Sequence, residues 1–83
     1  MKILVVDDEP TVLSVMKELL GAAGYHVLVA PDGPKGIDLL HEMRPDLIVL
    51  DIVMPGMSGI DVVREMGKQS CLKNIPILIM SGC

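Results

Sequence analysis

The succession of apolar and amphipathic segments predicts an α/β fold: a parallel sheet with helices packed on both faces. Three observations carry that expectation. Four short aliphatic runs, at residues 3–6, 26–30, 47–50 and 77–80, are unbroken by polar alternation, which suits strands buried on both faces. The stretches between them repeat apolar residues at helical spacing. Strand and helix alternate strictly as β-α-β-α-β-α-β. Alternation of this kind predicts right-handed crossovers, with helices on both faces of the sheet.

Each element has its own local justification. After the first run, Pro10 fits a first helical turn, where its missing N–H leaves nothing unpaired. Leu13, Met16, Leu20 and Ala23 follow at steps of three and four, with Val12 and Leu19 widening the stripe. Gly24 is suited to the left-handed position that closes a helix. The second helix begins near Asp32-Gly33-Pro34, turns Ile37, Leu40 and Met43 inward and ends before Pro45. The third starts at Ser58, an N-cap residue type, and is expected to present Ile60, Val63 and Met66 to the sheet. Asn74-Ile75-Pro76 then leads into the last strand.

Composition narrows the function classes. Eighty-three residues make one domain at the small end of the usual range, 1–83. A mean hydropathy of +0.54 is too apolar for a disordered segment, and no apolar run reaches the length of a membrane span. Seven basic residues against eleven acidic ones leave no basic patch for nucleic-acid phosphates, so direct nucleic-acid binding and membrane contact by this segment are not expected. Cys71 and Cys83 make neither a disulfide framework nor a zinc-site spacing, and the N-terminus does not resemble a signal peptide; a reduced, cytoplasmic setting is expected. His26 is expected at a strand start and His41 on a solvated helix face, with Lys35, Arg44 and Arg64 also exposed.

The carboxylates are placed less blandly. Asp7 and Asp8 directly follow the first strand and Asp51 directly follows the third. In open α/β sheets, ligands bind beyond the carboxyl ends of the strands, where strand order reverses. If the spatial order is 2-1-3-4, strands one and three are neighbours and all three acids meet in one crevice. Two carboxylates about 4 Å apart repel by about 4 kcal/mol at an effective dielectric near 20. Protonation or a cation is then required, and Mg²⁺ prefers such oxygen donors while leaving positions for a phosphoryl group. A carboxylate is also a competent nucleophile toward phosphorus, giving an acyl phosphate. The competing reading makes Asp8 or Glu9 a helix cap and Asp51 a turn residue.

The runs ILVVDDEP, DLIVLDIVMPGMSG and PILIMSG resemble the receiver domain of two-component response regulators, and the resemblance covers essentially the whole chain. It implies a flavodoxin-like doubly wound sheet of order 2-1-3-4, an order carried over from the family. It implies a phosphorelay function in which Asp51 accepts a phosphoryl group from a histidine kinase or phosphotransfer protein with Mg²⁺. Asp8 then matches a direct metal ligand, Asp7 its partner, and the Val53 backbone carbonyl the remaining protein ligand beside Asp51. Ser81 matches the switch hydroxyl, and Met54-Pro55 and Gly59 match the loop that shapes the pocket. Such a protein catalyses its own phosphorylation and dephosphorylation and is not otherwise an enzyme.

The family pattern continues past the fourth strand with a helix, a strand bearing a lysine and an aromatic switch residue, and a final helix. These 83 residues are expected to lack that part; Lys68 and Lys73 precede the fourth strand and do not match the lysine. One face of the third and fourth strands is therefore expected to be exposed, favouring a homodimer or a strand-exchanged oligomer. An alternative is a purely structural or dimerisation module. A phosphatase of the haloacid dehalogenase type would need a D-x-D run where this chain reads Asp-Asp-Glu-Pro, and no phosphate-binding glycine motif is present.

Overall fold

A computed structural model describes residues 1–80; Ser81 and Cys83, both singled out above, lie outside the described residues. The elements are β1 (Lys2–Val6), α1 (Pro10–Ala22), β2 (His26–Ala30), α2 (Gly33–Met43), β3 (Leu47–Asp51), α3 (Gly59–Gly67) and β4 (Ile77–Met80). All strand pairs are parallel, and the spatial order is β2-β1-β3-β4, as the family resemblance implied. None of the helices among the described residues is long and apolar enough to cross a membrane.

The two central strands are apolar on both faces, so each feeds two cores. Leu4, Val6, Ile48 and Leu50 face α2 and α3, where Leu40, Val62 and Met66 close the larger core. Ile3, Val5 and Val49 face the other way and pack with Leu13 of α1. Among the described residues, helix one thus lies on the face opposite α2 and α3, where right-handed crossovers in a sheet of this order put it. Since both faces are apolar, side-chain alternation alone does not fix how β1 and β3 align. Polar bonds at their starts do: Lys2 N–H donates to the Asp46 carboxylate at 2.7 Å, Asp46 N–H to the Lys2 carbonyl at 2.8 Å, and Lys2 Nζ to the Met43 carbonyl at 2.6 Å.

The helix ends follow their local chemistry. Asp32 caps α2 by accepting from Lys35 N–H at 2.8 Å, and Gly24, at φ +97°, turns the chain out of α1. Ser58 and Asp61 form a reciprocal capping box at the start of α3.

Four expectations are corrected. Helix three presents Gly59, Val62 and Met66 to the sheet, whereas Ile60 and Val63 are exposed: its start is turned so that the residue without a side chain lies against β3. In α1, Leu19 and Ala23 do not join the buried stripe; Leu19 points into solvent. The expected bare face of β3 is absent, because Val49 is only 2% exposed, packed among Ile3, Val5 and Leu13. Of these two strands it is β4 that is exposed: Ile77, Leu78 and Ile79 are open on both faces, so this run is not a doubly buried strand. A core residue with no periodic signal also emerges: Leu72, in the turns before β4, is fully buried.

That burial has a measurable consequence. Leu72→Ala is expected to destabilise the fold by about 2–5 kcal/mol, and Val63→Ala, on the exposed side of α3, by less than about 1 kcal/mol. Urea unfolding followed by circular dichroism gives both values; equal losses would contradict the packing described.

Candidate functional site

The parallel pairing of Val6 with Leu50 carries the next residue of each chain segment, Asp7 and Asp51, to the same end of the sheet. Asp8 follows at the turn into α1. One carboxylate oxygen from each of the three lies within 4.8 Å of the others. Asp7 and Asp51 are 5% and 6% exposed, the only buried charged residues among those described, and Asp8 is open to solvent.

Local backbone chemistry holds the two buried groups. Glu9 N–H donates to Asp7 Oδ1 at 2.9 Å, and Val53 N–H donates to Asp51 Oδ1 at 3.1 Å. Asp7 is also anchored through its own N–H, which donates to the Ala30 carbonyl at 3.1 Å. No cation offsets this charge: the ion pairs among the described residues are Arg64–Asp61 and Lys68–Glu65, both along α3. The capping reading does not describe the site, since Glu9 occupies the N-cap of α1 without a side-chain capping bond.

The electrostatic result is directional. Burial pushes the Asp7 carboxyl above the ordinary carboxylate range; the Glu9 N–H opposes this, and the neighbouring Asp51 and Asp8 add to it. Each ionised pair near 4.8 Å repels by roughly 3 kcal/mol at an effective dielectric near 20. A hard divalent cation relieves that repulsion, and the donor set fits one. Oxygens sharing a Mg²⁺ at about 2.1 Å lie about 3–4 Å apart, comparable with the 4.8 Å within which these three already lie.

Of the other residues expected at the site, Val53 lies in the loop leaving β3, exposed, with its N–H engaged by Asp51. Met54 is buried in the larger core, Met57 packs against that core, and Gly59 opens α3 directly behind Asp51. The register pairs Met80, the last described residue, with Asp51. His26 pairs with Lys2 at the opposite end, and His41 sits exposed in the last turn of α2. Exposed Cys71 lies in the turns that follow α3. The sequence reading missed Asp61, although Ser-x-x-Asp ahead of an apolar stripe is a capping signal.

A family model described as "Response regulator receiver domain" matches residues 3–83. The chain is 40% identical over 81 residues to the "Probable transcriptional regulator ycf27" of Galdieria sulphuraria, covering 98% of this chain and 31% of that protein. Among solved structures it resembles chemotaxis protein CheY4 of Vibrio cholerae, with a TM-score of 0.90 and 36% identity, covering 94% of this chain and 65% of that one. It also resembles response regulator protein TrrA of Thermotoga maritima, solved in complex with Mg²⁺-BeF, at a TM-score of 0.85 and 37% identity, covering 96% of this chain and 68% of that one. The chain therefore spans about a third of the length of the first curated relatives it matches.

The acid cluster sets a pH dependence. With its pKa raised on folding, Asp7 favours the folded state below its unfolded pKa of about 3.8, and that contribution is lost as pH rises through the folded value. In metal-free buffer at pH 7, Asp7→Asn is accordingly expected to raise the melting temperature, by about 4–8 °C for a gain near 1 kcal/mol in so small a domain. The advantage should shrink as pH falls toward 4. Thermal melts of both proteins across this range check it; a lower melting temperature for the variant at pH 7 contradicts the electrostatic account.

Proposed function

The chain belongs to the response regulator receiver family of two-component signalling, and on that premise we propose that Asp51 is its phosphoacceptor, loaded from a phosphohistidine of a histidine kinase or phosphotransfer protein. The observation that carries this reading is the meeting of Asp51 with Asp7 and Asp8 at one end of the sheet, with no cation of the chain's own paired to them among the described residues. The reading assigns Mg²⁺ to the carboxylates of Asp7, Asp8 and Asp51 and the carbonyl of Val53. TrrA, a relative solved with Mg²⁺-BeF, supports that assignment.

The chain's own groups then have distinct tasks. The Val53 N–H holds Asp51 Oδ1, leaving Oδ2 to attack phosphorus. The new P–O bond forms as the P–N bond of the phosphohistidine breaks; the electron pair returns to the imidazole nitrogen, and Asp51 becomes a mixed carboxylic–phosphoric anhydride. Asp7 and Asp8 keep the carboxylate end of the sheet selective for cations. When bound, the metal ion neutralises the carboxylates and the phosphoryl oxygens, which is most of what phosphoryl transfer requires of its surroundings. Ser81 is assigned the switch hydroxyl. The phosphoryl group stops on the chain, so the protein is an acceptor that promotes its own loading and unloading, in the cytoplasm where its donor resides.

Intact-mass measurement after incubation with acetyl phosphate tests the reading. One phosphoryl adduct is expected, dependent on Mg²⁺ and absent from Asp51→Asn; Asp8→Asn is expected to slow its formation by about 10²-fold or more, as for loss of a charge-stabilising group. An adduct that persists in Asp51→Asn would overturn the assignment, and no adduct at all would favour a purely structural module.

A further inference from the structure

We propose that Gly59 is a positioning residue for Asp51, acting through the backbone on which the carboxylate is mounted; this deepens the phosphoacceptor reading and rests on it. A Cβ at residue 59 would press on the Asp51 carbonyl oxygen and lie 2.7 Å from Ile52 Cα and 3.0 Å from the Asp51 carbonyl carbon. These neighbours are backbone atoms, which do not swing aside as a flexible side chain does. The glycine is also bonded where it touches, because its N–H donates to the Ile52 carbonyl at 3.0 Å and closes the loop between β3 and α3.

Any side chain at 59 must move either the helix or the peptide. The helix is held by Val62 and Met66, fully buried in the larger core, and by the Ser58–Asp61 capping box. Displacement therefore passes to the Asp51–Ile52 peptide, at the end of β3 where Ile52 N–H reaches the Met80 carbonyl at 3.4 Å. The Asp51 carboxylate is fixed across that same peptide by Val53 N–H. Turning the peptide turns the carboxylate away from Asp7 and Asp8, and in-line attack on phosphorus depends steeply on such placement.

The test compares adduct formation per folded molecule, with acetyl phosphate varied at saturating Mg²⁺, in four proteins: the parent chain, Gly59→Ala, Ser58→Ala and Leu72→Val. Gly59→Ala is expected to lower the maximal rate by about tenfold or more without changing the half-saturating acetyl phosphate concentration. Ser58→Ala loosens the same helix start without adding an atom there and is expected to lose about threefold. Leu72→Val, destabilised at the far end of the sheet, is expected to keep the parent rate. A Gly59→Ala chain reacting at the parent rate, or a Leu72→Val chain slowed as much, would overturn the inference while leaving the phosphoacceptor reading intact. If Gly59→Ala does not fold, Ser58→Ala decides: slowed adduct formation supports positioning, and the parent rate overturns it. A parent chain that forms no adduct overturns both.

Discussion

The Lys2–Asp46 pairing, remote from the acids, decides where the acids meet. Both central strands are apolar on each face, so a slip of one residue between them would still bury aliphatic side chains. It would break the reciprocal bonds at their starts and leave polar groups unpaired at the sheet margin. With Lys2 opposite Asp46, the equal strides from Lys2 to Asp7 and from Asp46 to Asp51 bring the two buried carboxylates level. The chemistry at one end of the sheet is thus set by hydrogen bonding at the other.

Holding two nearly buried carboxylates together with a third beside them opposes folding, and the surrounding architecture offsets it. Leu4, Val6, Ile48 and Leu50 have no solvent exposure, and the loop after β3 adds Met54 to the same core. The acids themselves receive one backbone N–H each, enough to orient them and too little to neutralise them. Such a site is poised for a cation by what it withholds. Fully paired carboxylates at the same positions would stabilise the fold and lose the ability to bind one.

Much of this was legible in the sequence because the relevant signals are local. Unbroken aliphatic runs located the four strands, and acids immediately after two of them located the site. The strand order came from resemblance, since nothing in a short aliphatic run identifies its neighbour in space. Periodicity misjudged α3 by one position: Ile60, Val63 and Met66 and the observed Gly59, Val62 and Met66 fit helical spacing comparably, and what separates them is a backbone contact of Gly59. Leu72 escaped because a single buried residue within turns has no period. One face of β3 was expected to be bare from the layout of helices, yet Val49 on that strand is covered by neighbouring strands and α1, a tertiary effect.

The position of β4 divides the sheet energetically. Among the described residues this strand pairs only with β3, and three of its four side chains are open to solvent, whereas β1 is paired on both sides and enclosed. Cooperative opening units in proteins follow such differences in enclosure, so β4 belongs to a shallower foldon than the strands bearing Asp7 and Asp51. The carboxylates are therefore mounted on the more enclosed part of the sheet, and β4 is expected to open at lower free energy than the strands that bear them. Amide exchange across this sheet is expected to read as a gradient, slowest in β1 and fastest in β4.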